Sequence, residues 1–114
     1  MTNEQKVFNR VYRGLAKQGW KKALDKKLNS CQLLDDVGNR CAIGHLVPIG
    51  DLRKRAWDDN DLDTNEISAL AKKLGVDRDF LRQLQSEHDE DGGGNAMRKR
   101  FRLFAQERGL TCPT

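Results

Sequence analysis

The strongest constraint on the fold is the period of the first turns of the chain. Val7, Phe8, Val11, Tyr12 and Leu15 recur at the i, i+3/i+4 spacing that gathers side chains on one side of an α-helix. On the same wheel Lys6, Arg10, Arg13, Lys17 and Lys21 fall together, nearly opposite the apolar side. Thr2 or Asn3 can cap this helix, and Glu4 sits favourably in its first turn. Gly19 is a natural end, although Trp20 to Leu24 can add a further turn or two.

Size bounds what can be built around that helix. A chain of 114 residues and 13.0 kDa is one domain, residues 1–114, with one modest core. It has no room for a large multi-layer enzyme fold. Its most apolar stretch, residues 41–50, is short and carries His45 and Pro48, which excludes a membrane span. The first residues lack the apolar segment of a secretory signal. Cys31, Cys41 and Cys112 make an odd count, and the expectation is reduced thiols in a cytosol rather than a disulfide framework. Basic charge is concentrated early: eight Lys/Arg face two Asp/Glu in residues 1–27, whereas residues 51–114 are nearly balanced. Such asymmetry points to an anionic partner, nucleic acid or an acidic protein face.

The rest of the chain reads as alternating turns and amphipathic helices. Residues 31–35 are a strand candidate, residues 36–39 are turn-like, and residues 40–44 return as a second strand, giving a hairpin. The second arm is ambiguous, because Ala42, Ile43, Leu46 and Val47 also fit one helical turn. Pro48 and Gly50 break what precedes them, and an acidic connector follows to Asp63, which with Thr64 can cap the next helix. Ile67, Leu70, Ala71 and Leu74 form one apolar face ending at Gly75. Asp77 caps a helix with Phe80, Leu81 and Leu84 inward that ends near His88. A loop through Gly92-Gly93-Gly94 leads to a final helix capped by Asn95, carrying Met97, Phe101, Phe104 and Ala105 and ending at Gly109, with Leu110 folding back. The expected fold is α+β, mainly helical, with about four helices and one small β-hairpin.

Four constellations bear on chemistry. Ile67, Leu70, Ala71, Leu74, Gly75, Val76, Leu81 and Leu84 fall at the spacing of a helix-turn-helix, in which small Ala71 admits the second helix and Gly75 makes the turn. Against DNA reading stand Asp77 and Asp79 around Arg78 at the start of the would-be recognition helix, and Phe80 at a groove-facing position. Cys31, Cys41, His45 and His88 are the only set resembling metal ligands, but no tight Cys-x₂-Cys pair occurs, so no metal and no cofactor are expected. Cys41 and His45 would act as nucleophile and base only if their segment were helical. His88-Asp89 lacks the further His and Asp ligands of a metal phosphohydrolase and is better read as a helix-end histidine favourable to the dipole. Finally, the row Lys6, Arg10, Arg13, Lys17, Lys21, with Arg78 and the cluster Arg98-Lys99-Arg100-Phe101-Arg102, can track a phosphate backbone or an acidic protein. Part of the second cluster complements Glu87, Asp89, Glu90 and Asp91.

The run Arg40-Cys41-Ala42-Ile43-Gly44-His45-Leu46-Val47-Pro48 resembles a group of small phage and prophage proteins of unknown function that carry a Cys-Ala-Ile-Gly-x-Leu-Ile-Pro signature. The segment from Phe80 to Asp89 is similar to the group's Phe-Leu-x-x-Leu-Gln-x-x-His-Asp, and the Val7-Phe8 start and the stretch from Phe104 to Leu110 also look alike. This chain departs from the group in Gln32-Leu33 after Cys31 and in having no tryptophan in its last helix. The resemblance implies a phage context and a bacterial host cytosol, and no activity. It also weighs against a helix-turn-helix role, since the region before Phe80 varies among such proteins.

Together these features make the leading expectation a non-enzymatic binding protein of phage type that occludes a host protein or a nucleic-acid-handling complex, as a counter-defence inhibitor would. Its partner surface is Lys6, Arg10, Arg13, Lys17, Lys21, Arg78, Arg98 and Arg100. The alternatives are a helix-turn-helix DNA-binding regulator and a small metal- or thiol-dependent enzyme.

Overall fold

A computed structural model describes residues 1–21, 24–25, 30–31, 38–47, 64–89 and 93–113. They are mainly helical. Four α-helices run Asn3–Lys17 (α1), Thr64–Leu74 (α2), Arg78–Asp89 (α3) and Gly94–Arg108 (α4), with a 3₁₀ turn at Ile43–Leu46.

α1 forms as its period predicts. Thr2 caps it, its hydroxyl accepting from the Gln5 N–H at 3.1 Å, and Val7, Phe8, Val11, Tyr12 and Leu15 are all buried. It does not run on to Leu24. Gln18 is its C-cap, and Gly19 and Trp20 both take positive φ (71° and 61°), which turns the chain away from the helix axis. That reversal folds the Trp20 indole back over α1. It meets Tyr12 edge-on at 4.9 Å and Phe101 at 6.0 Å. Phe8 sits between Tyr12, Phe101 and Phe104, and Phe104 reaches Phe80. Six of the seven aromatic rings thus form one connected array, which is the centre of the core.

α2 and α3 meet at the turn expected of Gly75, whose φ is +72°. Val76 N–H closes back to the Ala71 carbonyl, and Ala71, Leu81 and Leu84 are buried where the two helices approach. Asn3, at the start of α1, donates from its side chain to the Gly75 carbonyl at 3.2 Å, so the first helix is pinned to this turn. α4 begins one residue before the expected cap: Gly93 is the N-cap and Asn95 lies in the first turn. Its end follows the sequence, with Gly109 in the left-handed region and Leu110 N–H bonding to the Ala105 carbonyl. The chain then returns along α1, where the Gln5 amide both donates to and accepts from the Thr111 backbone at 2.8 Å.

The predicted hairpin between residues 31–35 and 40–44 is not found among the described residues, which include only Cys31 of its first arm. Its second arm is the 3₁₀ turn, buried throughout Cys41, Ala42, Ile43, Gly44, His45 and Leu46. A strand buried on all sides needs a ladder partner for every second N–H; a 3₁₀ turn satisfies part of its own backbone and takes the rest from side chains. Among the described residues Leu24–Asp25 (β1) pairs antiparallel with Ser30–Cys31 (β2), and Arg40 forms an isolated bridge. Residues 32–37 and the acidic connector at 51–63 lie outside the described residues. No helix among those described is long and apolar enough to cross a membrane.

Candidate functional site

The 3₁₀ turn occupies a cleft between α1 and α3, and two glutamines hold it there. Gln18 closes one side. Its amide nitrogen donates to the carbonyls of Arg40 and Lys21, both at 2.7 Å. Its amide oxygen accepts from the Arg40 N–H at 3.0 Å and lies 2.9 Å from His45 Nε2. On the other side the Gln85 oxygen of α3 accepts from the Ile43 N–H at 3.1 Å. Within the turn, Cys41 Sγ accepts from the Gly44 N–H at 3.3 Å. The backbone of Arg40 and Ile43 is thereby met by side chains from the helices on either flank, and that of Gly44 by the Cys41 thiol.

This arrangement fixes the state of His45. Both hydrogens of the Gln18 amide are committed to carbonyls, so its oxygen faces the imidazole and Nε2 must carry the proton. Nδ1 and the ring carbons lie over Gly14 of α1, where a Cβ would stand 2.6 Å from Cγ. The ring is 7% exposed. Burial first, then the positive charge of Arg40, His88 and Arg10, lower its pKa from 6.5 to about 4. His45 is therefore a neutral, packed histidine near neutral pH. His88 stands in the last turn of α3, the helix-end position read from the sequence, and is fully buried there.

The thiol and imidazole are close in sequence but face different helices. Cys41 packs with Ile43 and Val47 against Ile67 and Leu70 of α2, whereas His45 faces Gly14 and Gln18 of α1. The described neighbours of the Cys41 thiol and of the His45 imidazole are therefore different. Cys41, His45 and His88 do not form a group of three metal-ligating side chains with any neighbour among the described residues; the Cys31 side chain lies outside them. Cys41 and Cys112 are thiols.

The basic row is the second feature. Lys6, Arg10, Arg13 and Lys17 are all exposed on the outer side of α1. Among the described residues no ion pair engages them. Glu4, the one carboxylate of α1, is turned away toward Arg108, whose guanidinium lies 3.5 Å from it. Lys21 is exposed but stands beyond the reversal at Gly19 and Trp20, so it is not on the helical wheel. Arg40, on the flank held by Gln18, joins the row: burial and the neighbouring Arg10 both lower its pKa. On the other flank Arg102 of α4 donates from Nε to the Tyr12 hydroxyl at 3.4 Å. From sequence Arg102 was grouped only with the C-terminal cluster and Arg40 with neither; the packing of their segments against α1 sets both beside that helix.

The remaining cations are dispersed. Arg100 turns toward α3, donating to the Glu87 carbonyl at 3.0 Å with the Glu87 carboxylate at 3.9 Å, which uses it internally. Arg98 is exposed on α4. Arg78 is exposed at the start of α3 between exposed Asp77 and Asp79. A shallow hollow of about 480 Å³, lined by Lys72, Val76, Asp77, Arg78 and Asp79 among others, opens there. Phe80 is buried, as its helical period predicts, against Phe104 and the Arg108 guanidinium.

Gln18 and Gln85 escaped the sequence reading. Gln85 lies inside the stretch from Phe80 to Asp89 and Ile43 inside the stretch from Arg40 to Pro48, and the fold brings the two together through the Ile43–Gln85 hydrogen bond. No family model, curated protein or solved structure matches the chain.

Proposed function

We propose that this chain is a non-enzymatic binding protein of phage type that docks by the outer face of α1 on an anionic surface of a host protein or nucleoprotein complex, and acts by occluding it. The observation that carries this reading is the exposed, single-sign row Lys6, Arg10, Arg13, Lys17 with its own carboxylate turned away. An uncompensated row costs stability through self-repulsion. A chain that keeps four such cations in line, while engaging Arg100 and Arg108 internally, has the charge free for a partner.

The experiment is capture from a bacterial lysate at low salt, with and without nuclease, using the wild-type chain and the triple charge reversal Arg10→Glu/Arg13→Glu/Lys17→Glu. The expected result is a partner retained by the wild type and lost from the variant. Equal capture by both removes the α1 face as the docking surface. The helix-turn-helix regulator keeps one observation in its favour, the α2–α3 turn at Gly75. The two carboxylates beside Arg78 oppose phosphate at the position that reading needs.

A further inference from the structure

We infer that the occupant of the α1 face is the phosphate backbone of double-stranded DNA, bound without regard to base sequence. The inference rests on the docking face proposed above and names its partner.

Three observations favour it over an acidic protein. First, protein interfaces are built around buried aromatic and aliphatic anchors and are depleted in Lys. The exposed outer side of α1 carries Lys6, Arg10, Arg13, Ala16 and Lys17 and no large apolar side chain. The large hydrophobics exposed elsewhere, Met1 and Leu103, are not part of the row, and Tyr12 and Trp20 are spent on the aromatic array. Protein–DNA interfaces are polar and strongly positive, which this face is. Second, the row is linear. From Lys6 to Lys17 it spans about 16 Å at 1.5 Å per residue, a length over which a duplex presents about ten phosphates. Third, the row is two-flanked. The Arg40 backbone is held to Gln18 on one flank, and on the other Arg102 Nε donates to the Tyr12 hydroxyl, so a cation-bearing residue stands on either side of the helix.

The same geometry argues for backbone contact. α1 is flanked by the 3₁₀ turn at Gly14 and by α4 at Tyr12, so it does not protrude as a helix entering a major groove must. Single strands are held by exposed aromatic platforms, and the described face has none. Duplex RNA is held by modules that span two successive minor grooves, farther than this row reaches.

The test is fluorescence anisotropy of the full chain with 20-base-pair duplex DNA of two unrelated sequences, over a salt series. Four to six phosphate contacts give a log K against log salt slope between about −3.6 and −5.4. The two sequences are expected to bind within about twofold of each other. Arg10→Ala/Arg13→Ala weakens binding at least tenfold at low salt and flattens the slope by about two, while Arg78→Ala changes neither. Circular dichroism confirms that the exposed substitutions leave the fold intact. The inference is overturned if no saturable binding appears at low salt, if Arg78→Ala abolishes binding, if the double variant binds like the wild type, or if a 20-base-pair RNA duplex binds more tightly. Loss of DNA binding with retained, row-dependent capture of a protein from nuclease-treated lysate overturns this inference and leaves the docking face standing. Failure of both removes the face itself.

Discussion

The Gln18 amide oxygen lies 2.9 Å from His45 Nε2 and at the same time accepts the Arg40 N–H at 3.0 Å, so one side chain sets the protonation pattern of the buried imidazole and the path of the backbone that carries it. Gln18 is the C-cap of α1, the point at which the helix stops and the chain reverses. The cap of one element is thus the clamp of another.

Removing that clamp costs more than a surface substitution. Gln18→Ala leaves the His45 Nε2–H and the Arg40 N–H without their acceptor, and it also takes the donor from two carbonyls. Each buried polar group stranded in this way costs about 1–3 kcal/mol, and partial solvent access brings the expected loss to about 2–3 kcal/mol. Urea denaturation checks the value. A double-mutant cycle with His45→Ala gives a coupling above about 0.5 kcal/mol if the contact is formed, and additivity shows that it is not.

Gly14 is required by the same ring. A Cβ there overlaps the His45 imidazole, whose Cγ would be only 2.6 Å away. Gly14→Ala gains about 1 kcal/mol in helix propensity and loses about 2–3 kcal/mol to overpacking against a ring that is itself held by Gln18, so the net effect is a destabilisation of about 1–2 kcal/mol. In a His45→Ala background the clash is absent and the same substitution becomes neutral or stabilising. Paired thermal melts read the reversal of sign.

Acid should loosen the fold before the carboxylates titrate. Unfolded, His45 takes up a proton near pH 6.5; folded, its pKa is lowered to about 4 by burial and then by Arg40, His88 and Arg10. Between these values the unfolded chain binds the proton and the folded chain does not, so stability falls as pH falls through that window and is unaffected by this group above it. The shift corresponds to about 2–3 kcal/mol lost by pH 4, at 1.36 kcal/mol per unit. Denaturation at pH 7, 6, 5 and 4 measures the slope. His45→Gln should flatten it over the upper part of that range, and a slope unchanged by the substitution would assign the effect elsewhere.

Arg108 ties the two ends of the helical layer. Its guanidinium lies 5.2 Å from the Phe80 ring centroid and 5.0 Å from that of Phe104, pairs with Glu4, and donates to Gln83. Arg108→Ala is expected to cost about 1–2 kcal/mol, whereas Arg108→Lys keeps the charge but loses the planar stacking and recovers less than half of it. Added salt weakens only the Glu4 part, so the difference between the two variants should persist at high salt.

Much of the helical scaffold was legible because its signals are local. The period of Val7, Phe8, Val11, Tyr12 and Leu15, the Thr2 cap and the glycines at 75 and 109 each act within a turn or two, and α1 to α4 stand where those signals lie. The exposed row on α1 was legible for the same reason, since a wheel places its cations without reference to the rest of the chain.

The segment from Cys41 to Leu46 was not. Its apolar run fits a strand arm or a helical turn equally well, and local pattern cannot choose between them. The choice is made by Gln18, twenty-two residues before Arg40, and by Gln85, forty-two residues after Ile43. By itself the sequence determined the helices, their buried faces and the basic row. Only the tertiary structure decided the conformation of the Cys41 turn, the separate directions of Cys41 and His45, and the addition of Arg40 and Arg102 to the row. Each of these depends on a polar group or a flank supplied from a distant part of the chain, and a buried backbone takes whichever conformation those distant groups can satisfy.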